Sequence, residues 1–148
     1  MATWQAPIFD RSENDISYAK TLLKKIKVNG ISSLTADELS AWQSELKGCF
    51  SYFTLNRVLA NVQVLNDILG VLGYEHHDFH LSKDSWTYFD TPGAGDLTSL
   101  CSEVRSLCKI TYVDFSSVPT TFDNLSIDKM NQVEQAEFKA KEFTKRVS

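Results

Sequence analysis

The sequence predicts an all-α fold: about four helices around a long central helix at residues 51–72. Three observations predict it. Leu55, Val58, Val62, Leu65, Leu69 and Leu72 recur at spacings of 3, 4, 3, 4 and 3, which draws one apolar seam along a helix. At 1.5 Å per residue that helix would be roughly 33 Å long, about the width of a small domain. Four shorter stretches carry the same period, and helix-start and helix-stop residues stand between them. Leu59, Ile68 and Val71 widen the central seam, so more than one neighbour is expected to pack on it.

In chain order, residues 1–9 read as an extended arm, because Pro7 keeps Ala6 out of the α region. Trp4 or Phe9 is expected to anchor the arm on the body; the alternative is that the arm docks on a partner. A first helix is predicted over Glu13–Lys27, capped by Asp10 or Ser12. Its seam is Ile16, Ala19, Leu23 and Ile26, and Asn29-Gly30 stops it. A second helix is predicted from Thr35 to about Lys47. Thr35 and Glu38 have capping-box spacing, Leu39, Trp42 and Leu46 form the apolar face, and Gly48 ends it. After the central helix and Gly73, residues 74–95 read as an irregular aromatic-rich loop pinned by Trp86 and Phe89, with a short hairpin as the alternative. A further helix over Asp96–Lys109 takes Asp96 as its cap and Leu97, Leu100, Val104 and Leu107 as its seam. The last helix starts at Ser126. Met130, Val133, Ala136, Ala140, Phe143 and Val147 mark its inner face.

At 148 residues the chain is expected to be a single helical domain that buries enough apolar surface to fold unaided. The net charge of −4 argues against a phosphate-backbone binder, which needs a basic face. Lys20, Lys24, Lys25 and Lys27 read as a solvated face near a helix C-terminus. From Glu75 to Asp128 nine acids face three bases, most simply a matter of solubility, with charge pairing between copies as the alternative. No apolar run reaches eighteen residues, so no membrane span is expected, and the N-terminus lacks the marks of a signal peptide. Cys101 and Cys108 lie roughly 10 Å apart on one helix, too far for a disulfide. Free thiols made in a reducing cytoplasm are expected.

No motif here announces catalysis. His76, His77 and His80 invite a metal, but no His-Glu-x-x-His or Cys cluster supports them, and a solvated polar loop is the simpler reading. Pro92-Gly93-Ala94-Gly95-Asp96 lacks the Lys-Ser/Thr of a phosphate loop, and Asp96 would repel a phosphate. Trp86, Tyr88 and Phe89 could form an aromatic platform for a partner or glycan, though anchoring of a long loop is the simpler use. The second and central helices superficially suggest a helix-turn-helix. The central helix is too long and too apolar for that, with Arg57 its one basic residue.

Two short internal echoes stand out. Leu55-Asn56-Arg57-Val58 parallels Met130-Asn131-Gln132-Val133, and Leu34-Thr35-Ala36-Asp37 parallels Leu125-Ser126-Ile127-Asp128. An Asn beside a core position suits a tie between a helix and a neighbouring backbone.

Trp4-Gln5-Ala6-Pro7-Ile8-Phe9-Asp10-Arg11-Ser12 resembles the W-x-x-P-I-x-D-R-T pattern of a helical module of virion and tail-associated proteins from phages and prophages of Gram-positive bacteria. Leu34-Thr35, Trp42 and the run Lys47-Gly48 to Leu55-Asn56-Arg57-Val58 are similar to that module's L-T … W … K-G-x-x-N-x-x-D-L-N-R-I-E. Leu125-Ser126 through Asn131-Gln132-Val133-Glu134 is similar to its closing L-T … A-N-x-I-E helix. This chain departs from the pattern at Ser51 for Asn, Thr54 for Asp and Leu59 for Glu, which weakens the polar ties expected there.

The resemblance implies a non-enzymatic structural component of a particle in the tail, baseplate or fibre region. Other virion proteins and further copies of the chain are the expected partners, and, from charge, hydropathy and the lack of a ligand motif, no cofactor, metal, nucleic acid or membrane is expected. Trp4, Phe9, Asn56, Arg57, Trp86 and Asn131 are the candidate interaction residues. The alternative is a small cytoplasmic helical adaptor or regulator that belongs to no particle.

Overall fold

In the computed structural model the described residues are 3–48, 52–74, 94–116, 118–120 and 126–147. They form five α-helices and, among the described residues, no strand: α1 (Glu13–Asn29), α2 (Ala36–Gln43), α3 (Tyr52–Val71), α4 (Ala94–Ile110) and α5 (Ile127–Val147). The fold is all-α, as predicted. The core belongs to α3, α4 and α5, each of which packs on the other two. Leu55, Val58, Val62, Leu65 and Leu69 of α3 meet Leu100, Cys101, Val104, Leu107 and Cys108 of α4 and Val133, Ala136 and Ala140 of α5. Burial pushes the Cys101 thiol up to about 11 and the Cys108 thiol up to about 12, so both pack as small apolar groups.

The helix ends follow local chemistry. Ser12 is the residue before α1, and its N–H donates to Asp15 Oδ2 at 2.8 Å. Gly30 takes φ +81° just past the helix. Before α2, Thr35 and Glu38 form the reciprocal capping box. Gly73, at φ +85°, lets Tyr74 N–H reach back to the Leu69 carbonyl at 2.9 Å and closes α3. Ser126 Oγ accepts from Lys129 N–H at the start of α5.

Several expectations need correction. α2 stops at Gln43 rather than near Lys47, because Ser44 is extended (φ −107°, ψ −167°) and the chain then turns Glu45 inward. Gly48 is therefore no helix stop. Its backbone lies so close to α1 that a Cβ would collide with the Asp15 carbonyl. On α1 the buried residues are Ala19 and Leu22, while Leu23 is 40% exposed, so the seam is rotated from the one expected. Val71 does not widen the central seam; at the last residue of α3 it is 88% exposed. Leu72, expected on the seam, is half-buried just past the helix, and Val147 is exposed at the end of α5. α4 begins at Ala94, which puts Asp96 in its first turn rather than at its cap. The expectations for Trp86, Phe89, the histidines and the hairpin fall at 75–93, outside the described residues.

α4 ends in a turn with the same geometry as the end of α3 but without glycine. Tyr112 holds φ +58°, and Val113 N–H reaches the Cys108 carbonyl at 2.9 Å. The Tyr112 side chain is 85% exposed and sits 6.1 Å from the Phe143 ring. A left-handed conformation costs a non-glycine residue about 1–2 kcal/mol. Tyr112→Gly is expected to raise unfolding free energy by about 1 kcal/mol in denaturant titration, as relief of that strain outweighs a loose ring contact.

Candidate functional site

The arm crosses α3 and α5, and what holds it is polar. Asn61 of α3 grips the backbone of Gln5 in both directions: Gln5 N–H donates to Asn61 Oδ1 at 2.8 Å, and Asn61 Nδ2 donates to the Gln5 carbonyl at 2.8 Å. Asn131 of α5 does the same to Arg11, with Arg11 N–H donating to Oδ1 at 3.2 Å and Nδ2 donating to the Arg11 carbonyl at 3.1 Å. Between them Ile8 N–H donates to Glu134 Oε1 at 3.2 Å. An Asn amide offers one acceptor and two donors side by side, which matches a peptide unit.

Beneath the arm lies a buried charge cluster. Arg11 Nη2 donates to Glu134 Oε2 at 2.7 Å, and Arg11 Nη1 donates to the Ile8 carbonyl at 2.6 Å. Arg57 Nη2 donates to the same Glu134 Oε2 at 2.8 Å, while its Nε donates to Glu134 Oε1. Arg57 Nη1 pairs with Glu45, whose other oxygen accepts from Thr54 Oγ1 at 3.0 Å. Arg11, Thr54, Arg57 and Glu134 are all buried. Burial opposes the charge on Arg57, but its bonds to Glu134 and Glu45 outweigh that and raise its pKa. The Nε–H of Arg11 finds no acceptor among the described residues.

Glu137, one turn along α5, is different. It is fully buried, and neither carboxyl oxygen has a hydrogen-bond partner among the described residues. Burial and the neighbouring Glu134 charge push its pKa well above the usual carboxylate range. Arg57 and Asn61 stand close enough to oppose this, without prevailing. Its neutral, protonated form is the favoured one.

The candidate interaction residues are distributed as follows. Arg57 and Asn131 meet in the cluster through Glu134 and Arg11. Trp4 is half-buried against the core, with Lys141 Nζ 5.5 Å from its ring. Phe9 lies apart from the cluster, 36% exposed, with its ring 5.3 Å from that of Phe138. Asn56 is half-buried on α3, and Trp86 lies outside the described residues. Arg11 and Glu134 stand within the resembling motifs but not among the candidate residues, and Glu45, Asn61 and Glu137 are absent from both. One signal was available: at 100° per residue, Glu137 falls on the same arc of α5 as Met130, Val133 and Ala140.

Among the described residues no group of His, Cys, Asp and Glu side chains could hold a metal ion. The arrangement binds extended backbone. Comparison with known protein families, with curated proteins and with solved structures finds no match.

Glu134 serves two guanidinium groups, so Glu134→Gln would leave two buried cations under-compensated. The expected loss is about 3–5 kcal/mol of unfolding free energy by denaturant titration. Glu142→Gln, which breaks the exposed Glu142–Lys145 pair, should leave the transition midpoint unchanged.

For Glu137 the folded state holds its proton more tightly than the unfolded chain, whose value is near 4.5. Its contribution to stability is complete below that value and is lost as pH rises through the raised folded pKa. Glu137→Gln, a mimic of the neutral acid, is expected to flatten this fall and to raise the melting temperature at neutral pH relative to wild type. Parallel melting curves across pH would test it; an unchanged difference between the two proteins at every pH would refute it.

Proposed function

We propose that the chain is a structural component of a phage or prophage particle, in the tail, baseplate or fibre region, and acts through protein–protein contacts in multiple copies. The observation that carries this reading is the convergence of the resembling motifs. Arg11 closes the Pro7-Ile8-Phe9-Asp10-Arg11 segment, Arg57 belongs to Leu55-Asn56-Arg57, and Asn131 and Glu134 belong to the closing helix. Far apart in sequence, they meet in one cluster under the arm. Motifs that meet in space support a resemblance to one module rather than a set of chance matches. A cluster that is buried and internally paired also favours a structural role over turnover.

The arm and α5 are the assembly surfaces in this reading. The arm leaves Phe9 36% exposed, and α5 leaves Phe138 39% exposed beside it.

The test is mass spectrometry of particles purified from an induced culture of the source strain. Peptides of this chain in fixed ratio to tail or capsid proteins are the expected result. An abundant cellular protein absent from the particles would overturn the reading and leave the cytoplasmic adaptor.

A further inference from the structure

The arm runs along α5 in the opposite direction. Arg11 is held at Asn131, Ile8 at Glu134, and the Trp4 ring lies 5.5 Å from Lys141 Nζ. On α3, Arg57 reaches Glu134, and Asn61, one turn further along, holds Gln5. Glu137 stands one turn past Glu134 and one turn before Lys141, so it falls at the level of Asn61 and Gln5, between the seats of Ile8 and Trp4. Its carboxyl is buried, whereas Gln5 and Ala6 on the outer side are exposed. On this side, a single layer of extended chain separates the strip between α3 and α5 from solvent.

The two halves of the arm are held differently. From Ile8 to Arg11 the hold is charged: Glu134 takes the Ile8 N–H and the Arg11 guanidinium, and Asn131 takes the Arg11 backbone. From Trp4 to Ala6 it is neutral: the amide of Asn61 on Gln5, and Trp4 half-buried against the core. An ionised Glu137 would find no cation to spare. Arg57 faces it from α3 but is bound to Glu134 and Glu45. On α5 its charged neighbours are Glu134, of like sign, and Lys141, whose ammonium lies against the Trp4 ring. From α4 it meets Cys108, a neutral thiol. Arg11, the cation of the arm, is bound to Glu134.

A buried carboxylate without a counter-ion costs more than a pair of neutral amide bonds exchanged for bonds to water. Hydration is the remedy left to an ionised Glu137, and the thin, weakly held end of the arm is where water can enter. We propose that residues 4–6 form a proton-controlled strap, closed while Glu137 is protonated and lifted from α3 when Glu137 ionises, with Ile8 to Arg11 staying in their seat. This is local opening of a weakly held segment, not unfolding of the domain. The sign follows from linkage. The closed strap holds the proton of Glu137 more tightly than the open one, so closure is complete at low pH and is lost as pH rises through the raised folded pKa. Opening uncovers the strip of α3 and α5 beneath Trp4 and Gln5. The inference stands apart from the virion reading, because it concerns a single chain in solution.

The test follows amide exchange at Gln5, Ile8 and Arg11 by NMR in the full-length protein as pH rises, beside Glu137→Gln. Protection is taken relative to the intrinsic exchange rate at each pH. In the wild type, Gln5 is expected to lose protection about tenfold per pH unit once Glu137 titrates, while Ile8 and Arg11 keep theirs. In Glu137→Gln the Gln5 protection should stay level. A second readout does not depend on the folding of that variant. Trp4→Ala weakens the closed strap, so by linkage it should lower the pKa of Glu137, read from the carbon shift of its labelled carboxyl. Wild-type Gln5 protection that is level with pH, a fall shared by Ile8 and Arg11, or the same fall in Glu137→Gln would overturn the proposal. So would a Glu137 pKa that is equal in Trp4→Ala and the wild type.

Discussion

The carboxylate of Glu134 fixes how the arm, α3 and α5 fit together. It is buried, and it accepts from Arg11 on the arm and from Arg57 on α3. A buried carboxylate costs several kcal/mol unless it is well paired, so neither arginine can be displaced freely. A slip of one residue along the arm would carry Arg11 away from Glu134 and misplace the backbone groups that Asn61 and Asn131 hold. The arm's apolar side chains supply less of that specificity. Trp4, Pro7 and Ile8 are half-buried, and Phe9 is exposed. Charge and amide geometry set the register, and apolar packing adds to it.

The same cluster explains why two glutamates three residues apart on α5 behave differently. Glu134 faces two guanidinium groups, whereas Glu137 faces the core and the Glu134 charge. With Arg11 and Arg57 balanced by Glu45 and Glu134, the cluster is already neutral. An ionised Glu137 would add an uncompensated charge in a region that water does not reach, so keeping its proton is the lower-energy solution. Among the described residues the Glu137 oxygens have no hydrogen-bond partner within bonding geometry, although the Asn61 side chain lies nearby.

Much of the fold could be read from the sequence, because its signals are local. The α3 seam through Leu55, Val58, Val62, Leu65 and Leu69, the α4 seam and the caps at Ser12, Thr35 and Ser126 depend on neighbours within a turn or two. The failures came where a distant partner decides. α2 ends early because Glu45 turns toward Arg57, twelve residues on. The site was legible only in part. Arg57 and Asn131 stood out through the resemblance, yet nothing local says that they face Glu134 and Arg11. A charged residue on an apolar arc reads as solvent-facing until its partner is known, which is why Glu134 and Glu137 were missed.

The departures from the resembling pattern also make physical sense at one position. Thr54 stands where the pattern has Asp, and here its hydroxyl donates to Glu45, the carboxylate that also pairs with Arg57. An aspartate at 54 would set a second negative charge against Glu45 in a half-buried place and weaken its hold on Arg57. A hydroxyl instead supplies a donor and leaves the guanidinium as the cation in balance. Thr54 thus suits a chain in which Glu45 turns inward just after α2 ends. Thr54 and Arg57 answer to one constraint, the neutrality of the charge cluster beneath the arm.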